Sequence, residues 1–162
     1  MRAELEQVYR QHRQALFSLA LTITGCSGLA EDAVHEAFVR LCDRKELPSG
    51  QLLAYVFAAV RNAAVDQCRR EKRERSMAET LFADAANSSH DSSVGSNDEQ
   101  AARLQREIQL LDENAREIIV MKIFGELTFD EIGSVLNTPA ATIATRYRRA
   151  LASLEEKLRR NL

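Results

Sequence analysis

Apolar side chains recur every three or four residues through most of the chain, which is the period of an α-helix. The pattern predicts a first helix over residues 3–24, which Gly25 ends, and a second helix over about residues 27–43. Turn-forming residues then mark a loop over residues 45–51, and a third helix follows over about residues 52–75. Only two prolines and six glycines interrupt this pattern in 162 residues, so the sequence predicts an all-α fold.

The third predicted helix separates an apolar face from a polar face. Apolar residues from Leu53 to Cys68 lie on one side, whereas the opposite side is rich in arginine. Alternating charges are common on a solvated helix, but amide and carboxylate groups there also suit hydrogen bonding to base edges. The sequence leaves both interpretations open for this third-helix polar face, which consists of Asn62, Asp66, Arg69, Arg70 and Arg73.

The helical pattern stops at Ser76, where small polar and acidic residues become frequent. We expect residues 77–100 to form a flexible linker between a first domain over residues 1–76 and a second domain over residues 101–162. About 22 flexible residues place their ends ~25 Å apart on average and reach past ~60 Å when extended. The sequence thus predicts two independent small helical domains on a long tether.

The second domain contains two short helices joined by a tight turn, after helices expected over residues 101–111 and 115–124. Thr128 and Glu131 form the pattern of a capping box, which predicts the start of the first short helix. Thr138 precedes a proline that favours the first helical position, so Thr138 is the expected N-cap of the second short helix. This arrangement is typical of a helix-turn-helix.

The last predicted helix carries an apolar stripe from Ile143 to Leu158 and basic and hydroxyl groups on its other side. A recognition helix offers such a side to base edges and places its arginines near phosphates. A helical hairpin with a solvated basic face would show a similar stripe, and the stripe alone does not separate the two. The candidate DNA-contacting residues of this last-helix basic face are Thr142, Thr145, Arg146, Arg148 and Arg149.

Charge is distributed unevenly along the chain, although the formal net charge is only −2. Basic residues concentrate within residues 61–75 and 146–160, and acidic residues within residues 31–36 and 79–117. A negative total is unusual for a protein that holds DNA unaided, because phosphate contacts supply much of the affinity. The pattern therefore favours DNA binding together with a large partner. The carboxylates that open the second helix also have a simple explanation, since they favour the positive end of the helix dipole.

The cysteines predict neither a disulfide framework nor a zinc site. Cys26, Cys42 and Cys68 are widely spaced and include no C-x-x-C pair, so we expect them to be small buried hydrophobic side chains. A mixed metal site with His12 or His35 is the remaining alternative. No nucleophile–base pair, phosphate-binding glycine loop or carboxylate dyad stands at a meaningful spacing, so we expect neither catalysis nor a cofactor.

No segment of the chain has the pattern of a membrane anchor or a secretion signal. No apolar run approaches the ~20 residues that cross a bilayer, and the first residues lack the charged start and apolar middle of a signal peptide. We therefore expect a cytoplasmic protein without membrane insertion.

Three segments, in their order along the chain, resemble a sigma factor of the extracytoplasmic-function (ECF) group in the sigma-70 family. They are residues 30–41 (AEDAVHEAFVRL), residues 52–73 (LLAYVFAAVRNAAVDQCRREKR) and residues 110–158, which include the helix-turn-helix. The helix-turn-helix alone would also suit a response-regulator output domain, so the resemblance depends on the three segments jointly. It implies a region 2 helical bundle and a region 4 helix-turn-helix in a specificity subunit of RNA polymerase.

The resemblance also implies roles for the candidate residues. In the family, the first domain clamps the β′ coiled coil of core RNA polymerase, reads the promoter −10 element and helps to open the duplex. The second domain docks on the β flap and reads the −35 element. By position, the third-helix polar face corresponds to the −10 helix and the last-helix basic face to the −35 helix, and the loop at 45–51 matches the element that captures a flipped base. The corresponding polymerase-binding residues are Glu31, Asp32, His35 and Glu36.

Four positions depart from the family pattern. His35 stands where glutamine is common, Tyr55 where tryptophan is usual, and Ala141 and Ala144 where glycine and a basic residue are typical. The missing charge at Ala144 removes a phosphate contact, so we expect atypical −35 recognition.

The family also implies an anti-sigma partner. Two other functions stay open: a self-sufficient regulator, which requires a symmetric dimer, and a module that sequesters a partner, which the acidic total charge favours.

Overall fold

The structure is a computed structural model that describes residues 1–81 and 99–160 of the chain. Its described residues form helices and contain no strand, which confirms the all-α fold. The first three helices are α1 (Arg2–Thr24), α2 (Ser27–Cys42) and α3 (Leu52–Leu81). The second group consists of α4 (Glu99–Gln109), α5 (Glu113–Ile119), a π-helical turn (Val120–Phe124), α6 (Phe129–Leu136) and α7 (Ala140–Arg160).

Helices α1, α2 and α3 pack against one another as a three-helix bundle, which we call the N-terminal unit. Gly25 ends α1 as expected, since it adopts the left-handed conformation with φ 68° and its N–H donates to the carbonyl oxygen of Leu21 at 2.8 Å. Leu16, Leu19 and Phe57 are completely buried in the bundle. This bundle fixes the direction in which the polar face of α3 points.

Helix α3 continues six residues beyond the end expected near residue 75. Side chains one turn apart support the extension: Arg75 pairs with Glu71 at 2.8 Å, and the Thr80 hydroxyl donates to the Ser76 carbonyl oxygen at 2.7 Å. Residues 76–80 are exposed, so this part of the helix has no buried face that an apolar periodicity in the sequence could mark. The rest of the expected linker, residues 82–98, lies outside the described part of the chain.

The helix that was expected to run to residue 124 changes its winding at Val120. The wider π-helical turn buries Val120 and Met121 but leaves Ile123 and Phe124 about half exposed. Gly125 ends the turn with φ −84°, so it does not supply the left-handed conformation expected of a C-terminal glycine, and the positive φ of 57° belongs to Glu126. Glycine is required here because a Cβ at this position would come only 2.8 Å from the Met121 carbonyl oxygen.

Helices α6 and α7 form the expected helix-turn-helix. The capping box is confirmed, because Thr128 Oγ1 accepts from the Glu131 N–H at 3.2 Å and Glu131 Oε2 accepts from the Thr128 N–H at 2.7 Å. Asn137 makes the turn in the left-handed conformation with φ 50°. The expectation that Thr138 caps α7 is wrong, because its hydroxyl donates backwards to the Leu136 carbonyl oxygen at 3.1 Å.

The helices after residue 98, which we call the C-terminal unit, are not independent of the N-terminal unit. Helix α1 packs against α5 and the π-helical turn, and α3 packs against α6. One continuous cluster of buried apolar side chains includes Phe57 and Val60 of α3 together with Met121, Leu127 and Ile132 of the C-terminal unit. The two units therefore contact each other in this structure, whereas the sequence analysis expected them to be independent of each other.

The expectation of three buried cysteines is also wrong. Cys26 and Cys42 are exposed, because they lie just before α2 and at its last residue, where the bundle does not cover them. Cys68 is half-buried in α3, and its thiol donates to the Ile23 carbonyl oxygen at 3.3 Å. Burial raises the pKa of this thiol, and the nearby positive charge of Lys72 opposes the shift.

Candidate nucleic-acid interface

The polar face of α3 is accessible to a ligand even though the C-terminal unit packs on the same helix. Asn62, Arg69 and Arg73 are exposed, and the Asp66 side chain retains 46% of its accessible surface. The C-terminal unit instead covers the side of α3 that carries Phe57 and Arg61. The predicted −10 residues thus form an open surface with three arginines and an amide.

Glu36 connects this polar face to α2. Its Oε2 accepts from Arg70 at 2.8 Å and from Gln67 at 3.1 Å, while its Oε1 accepts from Arg40 at 2.5 Å. Arg40 also approaches Asp66 at 3.9 Å. The Glu36 side chain is only 24% exposed, so its carboxylate is largely occupied within the bundle. It orients Arg70 and neutralises part of the charge of the polar face.

The other three residues of the acidic group are exposed. Glu31, Asp32 and His35 point away from the buried side of α2. Glu31 and His35 line an open groove of about 710 Å³ between α1 and α2. Its apolar wall includes Tyr9 and Phe38, whose rings meet edge to face with centroids 5.1 Å apart. An apolar groove with charged groups at its rim is a surface that suits another protein.

The loop between α2 and α3 is held at both ends. Leu47 is half-buried against the core, and the Arg44 guanidinium lies over the Tyr55 ring, 5.4 Å from its centroid. Gly50 has φ 92°, a conformation that favours glycine. The polar side chains between these anchors, Glu46 and Ser49, remain exposed beside the start of α3.

The basic face of α7 is exposed as expected. Arg146, Arg148 and Arg149 are exposed, and Thr142 and Thr145 are half-buried. The Thr145 hydroxyl donates to the Ala141 carbonyl oxygen at 3.0 Å, so its hydrogen is used within the helix and only its lone pairs remain for an external donor. The arginines are therefore the main cationic groups that this face presents.

Buried side chains fix the orientation of α7. Ile143 and Ala150 are buried, and the Tyr147 ring lies 5.5 Å from the Phe129 ring at the start of α6. The Lys122 ammonium lies over the same Phe129 ring, 4.6 Å from its centroid. Leu151, expected in the apolar stripe, is 37% exposed. Apart from Leu151, the stripe holds the arginines on the solvent side.

One buried ion pair between the two units was missed by the sequence analysis. Arg61 Nε donates to Glu117 Oε2 at 2.6 Å, and Glu117 is only 1% exposed. Desolvation raises the pKa of Glu117, and the hydrogen bond and charge of Arg61 oppose that shift. The available signal was the position of Glu117 one turn before the buried Met121, because a charged residue on an apolar face needs a partner.

The fold and its exposed arginine faces define an all-α protein with a helix-turn-helix of the DNA-binding kind. The family model of sigma-70 region 2 matches residues 8–74, and that of sigma-70 region 4 matches residues 101–154. The chain therefore belongs to the sigma-70 family of RNA polymerase sigma factors, and its relatives place it in the ECF group.

Several ECF sigma factors are similar to this chain over most of their length. The ECF RNA polymerase sigma factor SigW of Bacillus subtilis is 26% identical over 172 aligned positions, which cover 97% of this chain and 88% of SigW. The ECF RNA polymerase sigma factor RpoE of Cereibacter sphaeroides is 28% identical over 132 positions, which cover 80% of this chain and 72% of RpoE.

A solved structure has the same fold. The sigma factor RpoE of Bartonella quintana, solved in complex with the anti-sigma factor NepR, matches with a TM-score of 0.69 at 23% identity. The match covers 96% of this chain and 97% of that protein. In the part of our chain that the structure describes, no helix combines the length and apolar character required to cross a membrane.

Proposed function

We propose that this ECF sigma factor reads the −10 element with the polar face of α3 and the −35 element with the basic face of α7. The supporting observation is that two arginine-rich faces, on two different units, are both exposed, while the opposite face of each helix carries buried side chains such as Val60 of α3 and Ile143 of α7. Arginine side chains on exposed helical faces suit both phosphate contacts and bidentate contacts to guanine. The chain acts by binding and catalyses no reaction itself.

Core RNA polymerase is the proposed partner of both units. The N-terminal unit meets the β′ clamp coiled coil through Glu31, Asp32 and His35, and the adjacent groove supports this role because it offers apolar surface beside the charges. Glu36 contributes mainly by holding Arg70 and Gln67. The C-terminal unit docks on the β flap, for which the half-exposed Ile123 and Phe124 offer apolar surface.

An anti-sigma factor is a further proposed partner. Support comes from the structural relative of Bartonella quintana, which was solved together with the anti-sigma factor NepR. Promoter recognition and its control by such a protein both take place in the cytoplasm. Affinity capture from the source bacterium tests this part, and recovery of polymerase subunits without a protein that blocks transcription would contradict it.

Run-off transcription with core RNA polymerase tests the proposal. Genomic DNA fragments are transcribed by core enzyme with the unaltered chain, with Arg149→Ala, or with Arg159→Ala as the matched control. Arg159 also lies on α7 and is exposed, but it pairs with Glu155 at 2.5 Å outside the predicted basic face. We expect initiation to fall with Arg149→Ala and to persist with Arg159→Ala. Absence of initiation with the unaltered chain at every promoter would contradict the proposal.

A further inference from the structure

We propose that Glu36 determines the selectivity of the −10 surface by holding Arg70 in one direction. The carboxylate keeps this arginine from the phosphates of unrelated DNA and presents it to the −10 element. The inference rests on the proposed reading of that element by the polar face of α3. It gives Glu36 the role of a positioning residue, in place of the polymerase contact that the family resemblance implies.

The Glu36 carboxylate links α2 to α3 through three hydrogen bonds. Its Oε2 accepts from Arg70 at 2.8 Å and from Gln67 at 3.1 Å. These two residues are three positions apart on α3, so they lie on the same side of that helix. Its Oε1 accepts from Arg40, one turn further along α2, at 2.5 Å. Donors from both helices therefore fix the carboxylate, and the carboxylate fixes the direction of Arg70.

Arg70 differs in this respect from the other two arginines of the polar face. Within the described part of the chain, Arg70 pairs with a carboxylate, whereas neither Arg69 nor Arg73 does. The Nε of Arg73 donates to the Arg69 carbonyl oxygen at 3.4 Å instead. The ion pair uses Nη2 of Arg70, and the side chain keeps 46% of its accessible surface. Because a guanidinium has five N–H donors, Arg70 is partly neutralised but keeps donors for a base edge.

The pairing of Arg70 changes what this arginine contributes to DNA binding. Binding to unrelated DNA depends on how many phosphates the protein neutralises, and phosphate contacts carry no sequence information. A paired arginine has to leave its carboxylate before it binds a phosphate, which lowers the affinity by up to about fivefold for an exposed pair. A bidentate contact to guanine, in contrast, needs a guanidinium in one fixed orientation. The pairing with Glu36 thus disfavours phosphate contacts of Arg70 and favours its contact to a base.

Contact with polymerase is the competing role for Glu36. Its side chain is only 24% exposed and its two oxygens already accept three hydrogen bonds, whereas Glu31 and Asp32 of the same helix are exposed. A polymerase contact would require Glu36 to give up part of this network. The two roles predict different results for a substitution: a polymerase contact would be lost with the carboxylate, whereas positioning of Arg70 leaves the association with core enzyme unchanged.

Three variants of the full-length chain and one control separate these roles. Glu36→Gln removes the charge but keeps the size of the side chain, Arg70→Gln removes the arginine, and the double variant removes both. The matched control is Glu6→Gln, which releases Arg10 from an ion pair of 2.6 Å on α1. It changes the net charge by the same amount as Glu36→Gln, but on a helix that carries none of the predicted −10 residues.

The affinity of the free chain for a duplex without promoter sequence is measured by fluorescence anisotropy over a series of salt concentrations. One additional phosphate contact steepens the slope of log K against log salt by about 0.9. We expect this change, and up to about fivefold tighter binding, for Glu36→Gln. Arg70→Gln, the double variant and the control are expected to keep the slope of the unaltered chain. An unchanged slope or no detectable binding for Glu36→Gln, or a steeper slope for the double variant, would overturn the proposal.

Assays with core RNA polymerase from the source bacterium test the contribution to the −10 element. Core enzyme is titrated with each form, and −10 opening is measured by permanganate reactivity at a promoter on which the unaltered chain initiates. Glu36→Gln is expected to keep the polymerase affinity of the unaltered chain. Its opening is expected to fall about tenfold, as with Arg70→Gln, and the double variant should lose no more. Weaker polymerase binding by Glu36→Gln, or unchanged opening, would overturn the role of Glu36.

The two measurements also separate this inference from the proposed function. Opening that is unaffected by Arg70→Gln would refute the proposed reading of the −10 element by Arg70, and the inference would fail with it. Opening that depends on Arg70, together with equal salt slopes for the unaltered chain and Glu36→Gln, would refute only the role of Glu36.

Discussion

Substitution of Gly133 by alanine is expected to disturb the turn of the helix-turn-helix. Gly133 lies in α6, and a Cβ at this position would come 2.6 Å from the Thr138 carbonyl oxygen. That oxygen is backbone, and the Thr138 N–H donates to the Gly133 carbonyl oxygen at 2.9 Å, so the turn cannot move away without loss of this hydrogen bond. The contact between α6 and the turn must therefore widen.

The expected magnitude combines two opposing effects. Overpacking at a close backbone contact costs about 1–3 kcal/mol. Alanine inside a helix is favoured over glycine by about 1 kcal/mol, which offsets part of this cost. The difference leaves a cost of up to about 2 kcal/mol, so we expect Gly133→Ala to lower the free energy of unfolding by up to this amount, or the melting temperature by up to roughly 8 °C for a chain of this size.

Gly28→Ala is the matched control for this substitution. Gly28 is also helical, but a Cβ there would meet only Cys26 Sγ at 4.0 Å. The same chemical change is therefore expected to raise the free energy of unfolding, by about 0.5 kcal/mol. Thermal unfolding followed by circular dichroism, together with −35 promoter activity, measures both variants. A Gly133→Ala protein that melts at or above the unaltered temperature would refute the reasoning about the turn.

Three further predictions concern the two faces and the buried carboxylate. Arg149→Ala should weaken −35 binding by about 1–3 kcal/mol in a holoenzyme binding assay, whereas Arg159→Ala should not. Asn62→Ala or Arg69→Ala should reduce −10 opening by a similar ~1–3 kcal/mol, measured by permanganate reactivity of unpaired thymines; unchanged opening in both would show that another face of α3 reads the element. Desolvation raises the pKa of Glu117 in the folded state above its value in the unfolded state. At a pH between these two values, the folded state binds more protons than the unfolded state. The contribution of this group to stability therefore falls as pH rises through that interval. Glu117→Gln should remove this pH dependence in urea unfolding, and an unchanged profile would contradict it.

Local sequence signals predicted the parts of the fold that depend on neighbouring residues. Thr128 and Glu131 are three positions apart, so their reciprocal hydrogen bonds follow from the sequence once a helix starts there. The faces of α3 and α7 were predictable for the same reason, because helical period alone places Asn62 and Arg149 opposite the buried stripe. In each case, both partners of the interaction lie within a few residues of each other.

The contacts between the units could not be predicted in this way. Arg61 and Glu117 are 56 positions apart, and nothing in the composition of the intervening segment indicates whether the units attract each other. The π-helical turn was missed because Val120 and Met121 fit an ordinary helical period until the packing against α1 is known. Thr138 was assigned as a cap because threonine before proline usually has that role, but its hydroxyl instead donates to the carbonyl oxygen of Leu136, the last residue of α6.

Site-specific crosslinking to promoter DNA tests the account's central claim most directly. A photoreactive side chain is placed at Arg69 of α3 or at Arg149 of α7, and crosslinked bases are mapped with and without core RNA polymerase. Two separate groups of bases, about 25 base pairs or ~85 Å apart, are expected in the holoenzyme, and little crosslinking is expected for the free chain. Crosslinks from both positions to one site, or equal crosslinking without polymerase, would contradict the claim.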